Sequence, residues 1–261
     1  MDIRGFTLFL AEASNMREIS TALKKYVRSL HLAKYRKAEQ CFLAEGHKIC
    51  TEFLSSGRYE VKYLLASSEW YDENPNLISR VPAELVHMLK RRQQEQLSLL
   101  TSPSPVILVL KSQIQEEPPG EWSIYLDKLQ DPGNMGAIIR IADWFGVGQV
   151  LASEDSVSFY NPKVVQSAMG SHNRVVLVTK SRAALISDKV HLIGMEMSGM
   201  PLRQYVPPTE DVALVMGNEG HGISELLKGH LRSSITIPSF GGAESLNVAV
   251  ACGIACHHLI R

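Results

Sequence analysis

Strand-like and helix-like stretches alternate through the C-terminal half of the chain, and this order constrains the fold more than any other feature. Strand-like runs occur at 122–127, 149–152, 174–179, 190–195, 212–216 and 234–237. Helix-like runs separate most of them, at 134–145, 162–168, 181–186 and 247–259. Apolar strands joined through helices are typical of a mainly parallel sheet covered by helices on both faces. The sequence therefore predicts an α/β fold.

A segment without apolar periodicity, residues 112–120 (SQIQEEPPG), combines paired acids with paired prolines. Such a composition is typical of a linker between two domains. Before it, residues 16–111 are predicted to form a small α/β domain, with helices at 38–55 and 82–89 and strands at 59–66 and 106–111. After it, residues 121–261 form the second domain. Residues 1–15 are predicted to be a tail, and Met1 and Met16 both stay open as the native start.

The charge of the chain is balanced overall but not along its length. Lys plus Arg number 27, as do Asp plus Glu, so net charge gives no argument for a nucleic-acid partner. Residues 17–37 nevertheless hold seven basic side chains, one acid and several aromatic rings, a pattern compatible with phosphate contacts and base stacking. A solvated basic helix is the alternative. The candidate RNA-binding residues are Lys24, Lys25, Arg28, Lys34, Arg36 and Lys37.

The four cysteines are too few and too unevenly placed to indicate a disulfide framework, which predicts a cytoplasmic location. The sequence Cys252-x-x-x-Cys256-His257-His258 offers zinc-type ligands, but the same positions continue an apolar helical stripe, and we expect no metal. No apolar run approaches the roughly 18–20 residues that span a bilayer, so we expect no membrane partner.

Three polar, glycine-containing stretches each begin where a predicted strand of the second domain ends. They are residues 131–140 (DPGNMGAIIR), 217–222 (GNEGHG) and 237–247 (IPSFGGAESLN). Ligands of parallel sheets bind beyond the carboxyl ends of the strands, and all three stretches are expected at that edge. They supply tight turns, amide and hydroxyl groups, a carboxylate and an arginine. This mixture suits a polar ligand held largely by the main chain.

Each stretch also has a purely structural interpretation. Asn134, Ser245 and Asn247 are natural helix N-caps, and Glu219 is placed to bond neighbouring amides. No Gly-x-Gly-x-x-Gly follows the first strand of the second domain, and residues 217–224 lack the lysine of a P-loop. Dinucleotide-binding and NTPase sites are therefore disfavoured.

The helix that contains Arg140 is predicted to be amphipathic. Its buried stripe is expected to consist of Ile138, Ile141 and Phe145, which turns Arg140 outward. Taken alone, an outward arginine is an ordinary solvated surface charge.

The order and spacing of the three stretches resemble the SpoU-type RNA ribose 2′-O-methyltransferases of the SPOUT class, over residues 121–261. The family's Asn-x-Gly followed by Arg is present as Asn134, Gly136 and Arg140. Its Gly-Asn-Glu-Gly corresponds to residues 217–220, and its Ile-Pro to Glu-Ser-Leu-Asn corresponds to 237–247. The first domain is similar to the substrate-binding domain that often precedes the catalytic one, notably at residues 35–36 (YR) and 42–46 (FLAEG).

This resemblance implies a C-terminal trefoil knot that binds S-adenosylmethionine mainly through the main chain. It also implies a homodimer formed through the knotted domain, for which Val248, Cys252, Ala255 and Leu259 give the last helix an apolar surface. The implied substrate is a ribose 2′-hydroxyl in structured RNA. Ribosomal RNA is the leading expectation, transfer RNA is the nearest alternative, and a catalytically silent RNA-binding assembly factor is the alternative of a different class. The implied cofactor residues are Met216, Gly217, Asn218, Ile237 and Leu246.

The resemblance further implies a set of catalytic residues: Arg140, Asn134, Glu219, Ser245 and Asn247. A ribose hydroxyl attacks only when its proton is removed or its oxyanion is stabilised, and a sulfonium methyl group requires in-line attack. Arg140 is expected to work against an RNA phosphate, either as the base or as an electrostatic partner of the forming alkoxide. Both roles stay open, because a guanidinium group is normally protonated. The other four residues are expected to orient Arg140, the ribose and the methionine end of the donor.

Overall fold

The structure of this chain, a computed structural model, describes residues 17–112, 122–209 and 211–260. The chain divides into two compact units, one of residues 1–113 with 160–166 and the other of residues 114–159 with 167–261. The predicted tail at 1–15, and the predicted linker from residue 113 to 120, lie outside the described residues. Both therefore stay predictions.

The described part of the first unit is built on a mixed sheet. Its strands are β1 (Arg17–Glu18), β2 (Cys41–Glu45), β3 (Val61–Ala66), β4 (Val86–Met88) and β5 (Val106–Lys111). They lie in the order β1-β4-β3-β5-β2. β4 pairs in parallel with β1 and β3, while β5 pairs antiparallel with β3 and β2. The helices are α1 (Thr21–Ser29), α2 (Ala33–Glu39), α3 (His47–Ser56), α4 (Ser68–Glu73), α5 (Pro75–Ile78) and α6 (Arg91–Leu97).

Helix α1 shows how the sequence builds this unit. It begins at Thr21 because the Ser20 hydroxyl accepts a hydrogen bond from the Leu23 amide at 3.1 Å and so satisfies a free helix donor. Its apolar residues Leu23 and Val27 are buried in a core that also contains Leu65 of β3 and other strand residues. The basic side chains of α1 are left on the outer face.

Two helix predictions in this unit are wrong in part. Within 38–55, the buried strand β2 precedes helix α3, and Gly46 separates them with a φ of 104°. Within 82–89, a 3-10 turn at Ala83–Leu85 leads into strand β4. Short buried strands carry continuous apolar runs that periodicity alone does not distinguish from helix. The strands predicted at 59–66 and 106–111 are confirmed.

The second unit contains the predicted parallel sheet. Its strands are β6 (Trp122–Leu126), β7 (Gln149–Ala152), β8 (Val176–Thr179), β9 (His191–Pro201), β10 (Val212–Met216) and β11 (Ser233–Thr236), in the order β11-β9-β10-β6-β7-β8. Every pairing between these strands is parallel. The helices in this part of the chain are α7 (Pro132–Phe145), α8 (Pro162–Ala168), α9 (Arg182–Ser187), α10 (Glu225–Lys228) and α11 (Val248–Leu259). Residues 160–166, which include most of α8, are grouped with the first unit. The α/β class with a parallel sheet is therefore confirmed.

The register of the sheet places the predicted site. Met216, the last residue of β10, is paired with Leu126, the last residue of β6, so the chain leaves both strands at the same level. The first two polar stretches start just beyond these ends, and the third starts beyond β11. The expected edge location is confirmed.

Helix α7 buries a wider face than the sequence indicates. Ile138 is buried as predicted, but Ile139 is buried as well, whereas Ile141 and Phe145 are only half-buried. The predicted stripe is therefore partly wrong, because α7 also lies against helix α11, where the Phe145 ring is 6.2 Å from that of His257. Arg140 is exposed, as predicted.

Helix α11 buries the stripe that the sequence assigned to a dimer surface. Four residues have exposures of 8% or less within this chain: Val248, Cys252, Ala255 and Leu259. Their assignment to an intersubunit surface is wrong, because α11 packs against its own unit. A Cβ atom on Gly253 would lie 3.6 Å from the Ile141 side chain of α7. Spacing reveals which helix face is apolar but not what covers it. In the described ranges, no helix is long and apolar enough to cross a bilayer.

Candidate active site

The start of helix α7 sets the position of Asn134. The N-cap is Asp131, whose carboxylate accepts a hydrogen bond from the Asn134 amide at 2.7 Å, and Pro132 occupies the first turn. The prediction that Asn134 caps this helix is therefore wrong. Its side chain lies on the first turn instead, where it is available for contacts beyond the helix.

Asn134 connects the three polar stretches. Its Nδ2 donates to Glu219 Oε1 at 3.0 Å, and its Oδ1 accepts from Asn247 Nδ2 at 2.9 Å. Asn247 is the N-cap of α11, because its Oδ1 accepts from the amides of Ala249 and Val250. These contacts fix the direction of each hydrogen bond. The Asn247 oxygen accepts from the helix amides, so the Asn247 nitrogen must donate to the Asn134 oxygen. The Asn134 nitrogen then donates to the Glu219 carboxylate. We call Asn134, Glu219 and Asn247 the amide cluster.

The loop at 217–222 holds Glu219 at its tip through a closed main-chain turn. Asn218 and Gly222 exchange two main-chain hydrogen bonds, of 3.0 and 2.8 Å. The Asn218 Oδ1 also accepts from the amides of Gly220 and His221, and its Nδ2 donates to the Lys128 carbonyl at 2.9 Å. Asn218 is thus engaged in the loop itself, which fixes the direction of the Glu219 carboxylate toward Asn134.

A glycine is required at position 217 because the main chain of this turn passes very close to it. A Cβ atom there would lie 2.3 Å from the carbonyl carbon of Gly222 and 2.5 Å from the Ile223 nitrogen. Neither main-chain atom can move without opening the loop. The glycine therefore brings the strand end and the loop together, and any ligand at this point meets main chain.

Arg140 and Ser245 are near the amide cluster in sequence but are not bonded to it. In the described residues, the side chain of neither makes a hydrogen bond or an ion pair, and both are exposed. Arg140 follows Asn134 on the same helix by six residues. An exposed arginine without a carboxylate partner keeps its full capacity to bind a phosphate.

The five predicted cofactor residues fall into three environments. Met216 is buried, so only its main chain is open to a ligand, while Gly217 and Asn218 are half-buried in the loop. Ile237 is half-buried, and Leu246 is 48% exposed. Residues 238–247 are all exposed, and they include Phe240 at 93%. Exposed apolar side chains beside a polar cluster suit a ligand with both polar and apolar parts.

The three polar stretches lie in a part of the chain that matches a known protein family. The model of the SpoU rRNA Methylase family matches residues 121–257, which contain the three polar stretches. The chain belongs to this family. A second model, the MRM3-like substrate binding domain, matches residues 23–108. The resemblance inferred from the motifs is confirmed in both halves of the chain.

Relatives of this SpoU-family protein align with nearly the whole of its chain. The 23S rRNA (guanosine(2553)-2′-O)-methyltransferase RlmP of Bacillus subtilis is 30% identical over 257 residues, covering 94% of this chain and 99% of that protein. A solved structure of a TrmH-family protein from Porphyromonas gingivalis is 33% identical, with a TM-score of 0.82 over 92% of this chain and 97% of its own. The fold is also that of an AdoMet-bound rRNA methyltransferase from Sinorhizobium meliloti, with a TM-score of 0.84 at 24% identity, covering 93% and 95%.

A buried acidic residue that the sequence analysis did not single out holds segments of the second unit together. Asp127, directly after β6, is only 1% exposed and accepts hydrogen bonds from Arg182 Nε at 2.6 Å and from the Ser224 amide at 2.7 Å. Arg182 also donates to both oxygens of Asp155. Burial opposes the charge of Arg182, but these carboxylates raise the pKa of its guanidinium. The available signal was an acid at the end of an apolar strand, a position where a buried charge needs a partner.

One of the six predicted RNA-binding residues of the first unit is buried. Lys25, Arg28, Lys34 and Lys37 are exposed and Lys24 is half-buried. Arg36 is only 7% exposed, and its Nη1 donates to the carbonyls of Leu30 and His31 at 2.9 and 2.8 Å. Burial lowers the pKa of its guanidinium. The expectation for Arg36 is therefore corrected: it binds carbonyls that follow α1, which have no helical partner.

Proposed function

We propose that this chain transfers a methyl group from S-adenosylmethionine to the 2′-hydroxyl of a ribose in ribosomal RNA. Membership of the SpoU family supports an S-adenosylmethionine-dependent RNA methyltransferase. The observation that carries the proposal is the amide cluster, because it joins the three family motifs at one edge of the sheet. Exposed hydrogen bonds contribute little to the free energy of folding, so a role in function explains the cluster better than a role in stability. This favours an enzyme over a catalytically silent assembly factor.

Ribosomal RNA is the proposed substrate because of the names and extent of the relatives. The Bacillus subtilis relative, aligned over 94% of this chain, is named a 23S rRNA methyltransferase, and the match spans both domains. Agreement in the domain that precedes the catalytic one supports a shared mode of substrate binding. Transfer RNA is the alternative substrate.

We assign the cofactor to the ends of β10 and β11, at Met216, Gly217, Asn218, Ile237 and Leu246. The residues present fit S-adenosylmethionine, which supplies an electrophilic methyl group when bound. Gly217 leaves main chain as the wall of the site, and the half-exposed Leu246 adds apolar surface. Among the described residues, the Glu219 carboxylate makes one hydrogen bond, through Oε1, which leaves its other oxygen to an ammonium or hydroxyl group.

Arg140 is proposed to act on the reacting hydroxyl. Its guanidinium is exposed and has no carboxylate partner in the described residues, so an RNA phosphate is its natural partner. Beside that phosphate, Arg140 either accepts the 2′-hydroxyl proton in a neutral guanidine form or, as the guanidinium cation, stabilises the forming alkoxide. Asn134, Asn247 and Glu219 hold one another in place, and Ser245 offers a hydroxyl beside them. These four residues are proposed to orient the ribose and the donor.

A homodimer is proposed through the outer faces of α7 and α11. Trp144 of α7 is 84% exposed, and Val250 and Ile254 of α11 are 51% and 40% exposed. Large exposed apolar side chains on adjacent helices are typical of an interface with another protein. These residues replace the buried stripe that the sequence suggested.

The trefoil knot and the cytoplasmic location stay part of the proposal. Family membership supports the knot. All four cysteines are unpaired and buried, which agrees with a reducing compartment.

The proposal is tested with the purified full-length chain, methyl-labelled S-adenosylmethionine, and total RNA from cells that lack the gene. We expect label in 23S rRNA, located by mapping ribose methylation, and calorimetric binding of S-adenosylmethionine. Label in transfer RNA alone would move the assignment to the alternative substrate. Donor binding without transfer to any RNA would support a silent factor, and absence of both would overturn the function.

A further inference from the structure

A cavity of about 590 Å³ lies in the first unit, and none of its lining residues is among those assigned to methyl transfer. It opens at the carboxyl ends of the parallel strands β3 and β4, where Ala66 and Met88 are paired. Its walls come from the segment after β3, the segment after β4 with the start of α6, and the chain just before β5. Binding pockets for small molecules have volumes of roughly 300–1,000 Å³. The cavity is therefore large enough for one nucleotide.

One side of the cavity is apolar and well suited to a flat ring. It is lined by Met88, Leu89, Pro103 and Pro105. Leu89 is buried, and its amide donates to the Ala66 carbonyl at 2.7 Å, so this wall is fixed to the sheet. Methionine makes favourable contacts with aromatic rings. Bases that are extruded from a nucleic acid are held between aromatic or apolar side chains, which replace the lost stacking.

The same lining also offers hydrogen-bond acceptors. Glu69 and Glu95 line the cavity, and among the described residues neither carboxylate has a basic partner. Hydrogen bonds from its own amide and from the Ser67 hydroxyl lower the pKa of the Glu69 carboxyl, so part of its acceptor capacity is already used. Gln94 also lines it, and its Nε2 donates to the Leu89 carbonyl at 3.4 Å, which leaves its oxygen as an acceptor. A ligand that satisfies these groups must bring N–H donors. Amino-bearing bases do so, and pairing of a carboxylate with the cytosine amino group is a known mode of recognition.

The rim carries the positive charge that a phosphate requires. Arg91 lines the cavity, and Arg92 follows it; both are exposed and neither has a carboxylate partner within the ranges that the structure describes. Lys90 is paired with Glu18 at 2.6 Å. A hydrogen bond and the charge of Lys90, and in addition the charge of Lys24, lower the pKa of the Glu18 carboxyl. The Glu18 carboxylate thus interacts with both Lys90 of the rim and Lys24 of helix α1, and we call the basic residues of the rim and of α1 the basic surface.

We propose that this cavity binds a single unstacked, amino-bearing nucleotide of the RNA substrate. The base lies against Met88 and the prolines, with its N–H groups toward Glu69, Glu95 and Gln94, and the phosphate lies at Arg91. This inference rests on the proposed function for the identity of the ligand as RNA. It adds a second recognition point, in a different unit from the methyl-transfer site, that selects which part of the RNA is presented.

Nucleotide binding is tested first, without any methyl transfer. The full-length protein is titrated with GMP, AMP, CMP and UMP, and contacts are detected by saturation-transfer NMR. We expect signals from the three amino-bearing nucleotides and a weak signal from UMP, which lacks the amino group. The double variant Glu69→Gln with Glu95→Gln is expected to remove this preference, while Glu84→Gln, an exposed glutamate outside the lining, retains it. Equal signals for all four nucleotides, or none, would overturn the proposal.

RNA recognition is tested next with Arg91→Ala and Arg91→Lys. We expect Arg91→Ala to weaken binding of 23S rRNA fragments about fivefold or more, with part of the loss restored by lysine. Affinity for S-adenosylmethionine, measured by calorimetry, should be unchanged, and circular dichroism melting shows whether each variant is folded. Wild-type RNA affinity in folded Arg91→Ala protein would contradict the proposal. If the wild-type protein bound the nucleotides selectively but transferred no methyl group to any RNA, the proposed function would fail and the cavity proposal would stand, so the two failures are distinguishable.

Discussion

The amide cluster of the second unit and the basic surface of the first unit both consist of polar side chains, but these are hydrogen-bonded to one another in the first case and mostly unpaired in the second. In the amide cluster, each residue is held by another: Asn134 bonds Glu219 and Asn247, and Asn247 also caps α11. On the basic surface, residues such as Lys25 and Arg91 are exposed and unpaired within the described residues. Chemistry needs groups fixed before the substrate arrives, whereas binding of a polyanion needs charges that are free to meet phosphates.

The largest expected effect comes from Arg140, which belongs to the catalytic unit but is unpaired like the basic surface. We expect Arg140→Ala to lower kcat by about 100- to 1,000-fold, the range for loss of one group that stabilises developing charge. Donor binding and melting temperature should stay near wild type, because this side chain makes no hydrogen bond or ion pair within the described residues. Radiolabel transfer and calorimetry measure the two properties separately.

Arg203→Ala is the matched control, since Arg203 is also exposed but lies outside the three stretches. It should retain wild-type transfer. Full activity of Arg140→Ala would remove Arg140 from the mechanism, and the cluster would then have to act without a cation.

The amide cluster is tested by Asn134→Ala and Asn134→Asp. Alanine removes both hydrogen bonds and is expected to lower kcat about 10- to 100-fold, because Glu219 and Asn247 lose their common partner. Aspartate is expected to be worse than alanine at neutral pH, since its carboxylate would face that of Glu219. Steady-state kinetics at pH 6 and 8 check the order. Equal activity of the two variants would show that the pairing with Glu219 does not matter.

Much of the catalytic unit was predictable because local and global signals agree there. The strands β7 and β10 have the bounds that their apolar runs predict, and the motif residue Gly217 marks the end of β10. The bonds within the amide cluster were not predictable. Asn134 is a good N-cap residue by type, and only the structure shows that Asp131 takes that role and leaves Asn134 to connect the stretches.

Predictions for the first unit failed where burial overrides residue type. Arg36 is charged, yet it is buried against carbonyls that follow α1. Phe42 has helical spacing with Ile49 and Phe53, yet it lies in the buried strand β2. The cavity beside α6 depends on three segments far apart in sequence, so no local pattern signals it.

The fixed geometry of the catalytic loop is tested by Gly217→Ala. The added Cβ would meet the Gly222 carbonyl carbon at 2.3 Å, so the loop must open. We expect a loss of about 1–3 kcal/mol in the free energy of unfolding and weaker donor binding. Gly220→Ala is the matched control in the same loop, because the nearest atom to its Cβ is at 3.6 Å. Equal melting temperatures for the two variants would contradict the close approach at Gly217.

The smallest effect is expected on the basic surface, where Lys25 and Arg36 are compared. Lys25→Ala should lower RNA affinity about two- to threefold and reduce the salt dependence by about one charge, with an unchanged melting temperature. Arg36→Ala should act in the opposite way, costing about 1–3 kcal/mol of stability through its two lost carbonyl bonds. RNA binding across a salt series and thermal melting separate the two. If folded Arg36→Ala protein lost RNA affinity without loss of stability, Arg36 would belong with the exposed residues that bind phosphate. The distinction between hydrogen-bonded and free basic residues would then fail at that position.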